Sequence, residues 1–220
     1  MTGIEGARLA RGTVVVIDVL RAFTVSAYAL AGGARECRLV RTVEEAKALA
    51  ASIPESLISA EENALPVEGI AISNSPTAIT RLDMRGKVLI QRSTAGTQCA
   101  SVAESDDMLA ASLAVAAATA QACLLRDPQT LTLVASGDFP EDHACATYIE
   151  GLIRGENLDL DELLRPLQHT DRYRRVMAGS WPGFPPTDVQ IALQANRFEF
   201  AMPIHKSGDH LSMTARFPTV

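Results

Sequence analysis

The sequence predicts an α/β fold: a mostly parallel sheet with helices on both faces. Three observations carry that prediction. Short apolar runs rich in β-branched residues alternate with segments of helical composition from residue 13 to residue 154. The first run, Val14-Val15-Val16-Ile17, is continuously apolar, as a buried strand is. Boundary signals punctuate the alternation, such as the capping box Thr42-Val43-Glu44-Glu45 and the pair Gly32-Gly33 at the end of the first helix. Strand–helix alternation of this kind builds parallel pairs through helical crossovers.

Taken in order, residues 13–19 read as a strand and residues 22–31 as a helix. Residues 36–40 form a second strand, followed by a helix from the capping box to about residue 52. Residues 56–60 and 87–91 are the third and fourth strands, and a helix starts near Gly96. Residues 108–111 are a short strand, after which Ser112 caps an alanine-rich helix ending near Arg126. Residues 131–135 form a further strand and residues 141–154 the helix after it. On this reading residues 1–155 are an α/β core. Residues 156–220 form a C-terminal extension, packed on the core or completing it. The extension holds helical segments at 160–167, 170–178 and 187–195. It also holds a break, Trp181-Pro182-Gly183-Phe184-Pro185-Pro186, and an apolar stretch at 198–204. That stretch pairs as a strand either within the domain or across a homodimer, and the sequence does not choose.

Composition narrows the function. The 220 residues carry a net charge of −6 with 5% aromatics, and no basic run is interleaved with aromatic residues, which argues against nucleic-acid binding. No apolar run is long enough to span a membrane, and the first residues lack the apolar segment of a signal peptide, so a cytoplasmic location is expected. Cys37, Cys99, Cys123 and Cys145 are far apart and form no CxxC pair, which points to buried thiols. Arg172, Arg174 and Arg175 read as one solvated helix face.

Candidate chemistry gathers where strands give way to loops. Asp18 and Arg21 follow the first strand. Ser59-Ala60-Glu61-Glu62-Asn63 ends the third, and Arg92-Ser93-Thr94-Ala95-Gly96-Thr97 the fourth. Ser136-Gly137-Asp138-Phe139-Pro140-Glu141-Asp142 follows the later strand. In a parallel sheet all four loops open on one edge, where ligands of open α/β sheets bind. Asp18 and Glu61 directly follow apolar strand residues, and burying an unpaired carboxylate is costly, so both call for a partner. Glu141 and Asp142 also suit the first turn of a helix. Together Asp18, Glu61, Glu141 and Asp142 are candidate ligands for magnesium, which takes a few carboxylate oxygens plus water and substrate phosphate. The 94–97 loop offers backbone N–H groups to an anion at a helix start, with Thr94, Gly96 and Thr97 as candidate substrate-binding residues; a plain helix cap is the alternative. Asn74-Ser75-Pro76-Thr77 reads equally as a helix-starting turn and as a ligand contact. His143 is a weaker acid/base candidate, and Cys145 reads as packed.

Several of these stretches, in order, resemble the 2-phosphosulfolactate phosphatase family. They are Ile17-Asp18-Val19-Leu20-Arg21-Ala22, Val67-Glu68-Gly69 with Ser73-Asn74-Ser75-Pro76, Ser93-Thr94-Ala95-Gly96-Thr97, and Glu141-Asp142 with Cys145. The resemblance covers roughly residues 13–151, with a weaker echo in Arg174-Arg175-Val176-Met177. It implies an α/β fold of its own type and magnesium-dependent hydrolysis of a phosphate monoester on a small anionic acid. It also implies metal or phosphate roles for Asp18, Glu61 and Asp142, and anion binding by the 94–97 loop. The chain departs from the family pattern at Ala60-Glu61-Glu62, where Gly-Glu-Arg is usual. It departs again at Arg92 and Ala95, in a loop that usually reads Thr-Thr-Asn-Gly-Thr after a further threonine. One arginine is lost and another appears on a neighbouring strand end. Arg92 either supplies the missing guanidinium, holding a phosphate or a second acidic group, or points to solvent.

The resulting expectation is a cytoplasmic, magnesium-dependent phosphatase for a small phosphorylated acid. Asp18, Arg21, Glu61 and Asp142 would be catalytic, and Arg92, Thr94, Gly96, Thr97, Asn74 and Ser75 would bind substrate. Asp18 is either a metal ligand or a nucleophile. A haloacid-dehalogenase-type phosphatase would need a second Asp where Leu20 stands. A non-catalytic small-anion-binding protein that kept the fold is the alternative from another class.

Overall fold

The computed structural model describes residues 1–219. The chain runs α1 (Gly3–Leu9), β1 (Thr13–Ile17), α2 (Ala22–Ala31), β2 (Glu36–Leu39), α3 (Val43–Ser52), β3 (Ser56–Glu62), β4 (Leu65–Pro66), α4 (Pro76–Ile79), β5 (Val88–Arg92), α5 (Gly96–Val102) and β6 (Met108–Ala111). It continues through α6 (Ala116–Arg126), β7 (Leu131–Ala135), α7 (Pro140–Arg154), α8 (Leu160–Gln168), α9 (Asp171–Met177), α10 (Pro186–Ala192), β8 (Met202–Ser207) and β9 (His210–Met213). The nine described strands join one sheet in the order β4-β3-β5-β2-β9-β8-β6-β1-β7. No described helix is long and apolar enough to cross a membrane.

The α/β class and the mostly parallel sheet hold, but the sheet is not purely parallel. Strands β3, β5 and β2 form one parallel block, and β6, β1 and β7 another. The hairpin β8–β9 lies between them, antiparallel to β6 on one side and to β2 on the other. Each antiparallel step reverses direction, so the two blocks point opposite ways. In a flat sheet their loops would open on opposite edges, contrary to the single shared edge expected of a parallel sheet. The loops nevertheless meet, because the sheet wraps around α2. Strand twist of about 20–25° per step accumulates over the nine strands. Helix α2 is apolar on nearly all sides and buried along its length, as a helix enclosed in a core is. Its Phe23, Val25 and Ala27 share one cluster with Val14 and Val16 of β1, Met108 of β6, Met202 of β8, Met213 of β9, Cys37 of β2 and Leu89 of β5. The alternate residues face outward: Val15, Ile17, Leu109 and Ala111 pack on α6 and α7, and Val88 and Ile90 pack on α3. Helices therefore cover both faces.

Most boundaries fall within a residue or two of the sequence reading, and the capping box at Thr42 forms. Ser112 does not cap α6. A 3-10 turn, Leu113–Val115, intervenes, and the Ser112 hydroxyl is buried without a partner among the described residues. The first strand stops at Ile17 because the Val19 amide is drawn to the Asp142 carboxylate, 2.8 Å away. Within the apolar stretch 198–204, Phe198 and Phe200 stack with ring centres 5.5 Å apart, and Tyr28 of α2 meets Phe198 edge-on. The strand itself begins at Met202 and pairs inside the chain. All four cysteines are buried free thiols.

Among the described residues, β8 and β9 supply the only strand pairing that joins the two blocks, so a chain ended after Gly155 would leave β2 paired only with β5 and β6 only with β1, each with one edge open. It is expected to lose cooperative thermal unfolding by circular dichroism and to elute as aggregate. A monomeric truncation with a sharp melt would contradict this strand order.

Candidate functional site

Asp18 is the residue on which the site is built. It follows β1, and its carboxylate is almost fully buried. Oδ1 accepts from the Ala22 amide at 2.9 Å and Oδ2 from the Gly96 amide, also at 2.9 Å. One side chain thus closes the first turns of α2 and α5, using N–H groups that a helix start leaves free. Gly96 is required by this approach, since a Cβ there would lie 2.6 Å from Asp18 Oδ2. Burial pushes the Asp18 carboxyl up to about 6, against the lowering effect of the Ala22 amide and with further raising from Glu61.

Arg21 is equally enclosed. Its Nη1 donates to Asp188 Oδ2 at 2.9 Å and to the Gly183 carbonyl at 2.6 Å, and its guanidinium lies 3.9 Å from the centre of the Phe184 ring. Asp188 also accepts from Ser75 Oγ at 2.7 Å and from the Thr77 amide at 3.0 Å. Arg21 Nη2 is buried with no acceptor among the described residues. A free donor on a buried cation is costly unless something else satisfies it. Burial lowers the Arg21 pKa from its ordinary value, partly offset by Asp188.

Glu61 accepts from the Thr94 amide at 2.5 Å and from the Ala64 amide at 2.5 Å, and its Oε2 also accepts from Thr94 Oγ1 at 3.0 Å. Asp142 accepts from the Val19 amide and, at 2.9 Å, from Ser136 Oγ. Its burial, then the charges of Asp18 and Glu141, raise its pKa well above the ordinary value. Glu141 is fully buried and pairs with Arg172, whose guanidinium lies 4.3 Å from the centre of the Phe139 ring.

These groups surround a cavity of about 250 Å³. Of the residues singled out by sequence, Asp18, Arg21, Glu61, Asn74 and Thr94 line it. Six others stand behind the wall. Asp142 and Glu141 are turned to the partners just described. Ser75 caps α4. The Gly96 amide is spent on Asp18. Thr97 exchanges hydrogen bonds with Ser93, at 3.0 Å from its amide and 2.9 Å from its hydroxyl. The amides of the 94–97 loop therefore hold the chain's own carboxylates, Glu61 and Asp18. Arg92 is the sixth. It donates to the carbonyls of Glu61 and Arg41 and lies 3.8 Å from Glu62. The two departures from the family pattern at positions 62 and 92 thus pair with each other, and Arg92 braces Glu61 from outside the cavity. His143 meets Asp138 at 2.9 Å on the surface.

Sequence reasoning missed four wall or support residues: Arg172, Trp181, Phe184 and Asp188. Arg172 lines the cavity, and Arg175 lies 4.6 Å from the Trp181 ring centre, so the basic cluster is not one solvated face. Trp181 Nε1 donates to the Ala64 carbonyl at 3.1 Å, and Ser73 Oγ to the Gly183 carbonyl at 2.9 Å, which fixes the 181–184 loop over the cavity. Two large aromatic residues in a Pro/Gly-rich break were the available signal.

The charge balance decides what the cavity can hold. Its wall carries two acids, Asp18 and Glu61, and two arginines, each already matched by a buried acid, Asp188 or Glu141. An anion entering this cavity needs a further cation. Among the described residues no three His, Cys, Asp or Glu side chains are grouped to hold a metal ion. Asp18 and Glu61 do present hard oxygen donors to one space, and magnesium is commonly held by one or two carboxylates together with substrate phosphate.

Comparison with known proteins yields one family. The family described as 2-phosphosulpholactate phosphatase matches residues 2–175. A probable 2-phosphosulfolactate phosphatase of Bacillus subtilis (strain 168) is 33% identical over 202 residues, spanning 89% of this chain and 88% of that protein. One from Clostridium novyi (strain NT) is 30% identical over 166 residues, covering 73% and 71%. One from Carboxydothermus hydrogenoformans is 37% identical over 144 residues, covering 64% and 60%.

Two outcomes follow for the Asp18 contacts. Gly96→Ala forces Asp18 off its amide and is expected to lower stability by about 1–3 kcal/mol in urea denaturation. In chelator-treated protein, the folded chain keeps a proton on Asp18 between its ordinary 3.8 and about 6 that the unfolded chain has lost. Stability therefore falls as pH rises through that window, and Asp18→Asn flattens the fall. Melting curves at half-unit pH steps check this; an identical slope in the variant would contradict it.

Proposed function

The chain belongs to the 2-phosphosulfolactate phosphatase family, and on that premise we propose that it is a magnesium-dependent phosphatase. Its substrate is a phosphate monoester of a small acid, 2-phosphosulfolactate or a related phosphorylated hydroxy acid, and it acts in the cytoplasm. The observation that carries this reading is the unpartnered Arg21 Nη2, on a residue that shares a small cavity with Asp18 and Glu61. A phosphoryl oxygen is the acceptor that such a donor lacks.

Phosphoryl transfer calls for positioning and charge neutralisation more than for covalent chemistry from the protein. Asp18 and Glu61 would hold the magnesium ion. When bound, the ion supplies charge for the phosphate oxygens and lowers the pKa of a coordinated water. The Ala22 and Gly96 amides keep the Asp18 carboxylate fixed, so it does not reorganise as charge moves. Arg21 is immobilised by Asp188, Gly183 and Phe184, so a phosphoryl oxygen that reached Nη2 would meet a donor already fixed rather than free to swing. Leu20, Phe139, Phe184 and Trp181 give the wall an apolar portion that excludes bulk water and strengthens these interactions. The volume lies below the range of about 300–1,000 Å³ typical of drug-sized sites, in keeping with a small acid.

The test is phosphate release from a panel of small phosphorylated hydroxy acids. Release is expected with magnesium, is abolished by EDTA, and returns on adding the ion back. Arg21→Lys keeps a charge for Asp188 but cannot present a second nitrogen, and is expected to lower kcat/KM by about 10²–10³-fold. Rapid quench of a single turnover followed by mass spectrometry is expected to find Asp18 unphosphorylated; a trapped acyl phosphate on Asp18 would make that residue the nucleophile instead. No magnesium-dependent release from any ester, in protein that melts cooperatively, would overturn the proposal.

A further inference from the structure

We infer that Arg172 is the specificity-determining residue of this cavity, reading a second acidic group on the substrate; the inference rests on the phosphatase reading and adds the residue that selects within it. The cavity wall holds two guanidinium groups, and they differ in placement. Arg21 comes from the β1–α2 junction beside Asp18 and has a side chain 2% exposed. Arg172 comes from α9 in the C-terminal part of the chain and its side chain is 18% exposed. The reacting phosphate belongs with Arg21 and Asp18, which leaves Arg172 without a role in that chemistry.

Arg172 is nevertheless built in with care for its position. Its ion-pair partner, Glu141, is fully buried, and its planar group lies over the Phe139 ring. Burying a carboxylate to anchor an arginine is costly, and a bridge between two helices could be made more cheaply by apolar side chains. The arrangement does fix a planar, multi-donor cation on a cavity wall, the geometry that recognises carboxylate or sulfonate. Leu20, Phe184 and Trp181 supply apolar surface elsewhere on the same wall, suited to a short carbon skeleton. The ligand that fits has a phosphate at one end and a carboxylate or sulfonate a few bonds away. A phosphate ester with a neutral organic part would satisfy Arg21 and leave Arg172 with no anion to bind.

The experiment compares 2-phosphosulfolactate with isopropyl phosphate, which shares the branched three-carbon ester but lacks the further acids. Both kcat/KM and the dissociation constant by calorimetry are measured, with magnesium, for the full chain. Wild type is expected to favour the acidic ester, and Arg172→Gln to reduce the ratio between the two esters by about tenfold to a hundredfold. Arg172→Lys is expected to recover part of the ratio. Because Arg172→Gln strands Glu141, the double variant Arg172→Gln/Glu141→Gln is run alongside, and the same loss of ratio is expected there. Equal losses on both esters, with the ratio unchanged in single and double variants, would make Arg172 a structural brace and overturn the inference. Binding ratios decide the matter even if nothing is turned over. Absent turnover overturns the phosphatase reading alone, and absent binding of both esters overturns both.

Discussion

One carboxylate holds the two halves of this molecule in register. Asp18 ends a strand of one parallel block and accepts from an amide at the start of α2 and from another in the loop after β5, which belongs to the other block. The blocks run in opposite directions, so nothing in sheet hydrogen bonding alone brings their ends together. The curl of the sheet around α2 brings them near, and the Asp18 contacts tie them. The lack of a Cβ at position 96 is what lets the second contact form. The structural tie and the candidate chemistry therefore share a side chain, and the cost of burying it is offset by the same amides that orient it.

Around this tie the protein keeps its charges in matched, buried pairs: Arg21 with Asp188, and Arg172 with Glu141. Each pair immobilises an arginine at the cavity by a residue behind it. The acids that are not matched, Asp18 and Glu61, are held by backbone amides instead. Counting the acids behind the wall, Asp188 and Glu141, with those on it, the carboxylates outnumber the guanidinium groups. Arg92 on the β5 end lies 3.8 Å from Glu62 on the β3 end and donates to the carbonyl of Glu61 beside it.

The strands and helices up to residue 154 were legible because each is local. Continuous β-branched runs, a capping box and glycine stops act over a few residues. The acids at strand ends were legible as candidates for the same reason: a carboxylate after an apolar run is expensive unless it has a partner. What could not be read was which acids face the cavity. Asp142 and Glu141 differ from Asp18 and Glu61 only in where their neighbours lie, and those neighbours, Val19, Ser136 and Arg172, are distant in sequence or on the opposite side of a turn. Arg172 looked like part of a solvated stripe because helix periodicity describes a surface and not what that surface meets.

Taken alone, the sequence determined the α/β class, the positions of most elements though not of α1, β4 or β9, the strand-end acids and the family, since these depend on local propensity, burial patterning and short motifs. Tertiary structure decided the antiparallel relation of the two blocks, the insertion of β8 and β9 between them, and the choice of cavity residues. Those follow from strand order and sheet curl, which arise from contacts between residues tens to nearly two hundred positions apart, and no local pattern encodes such contacts.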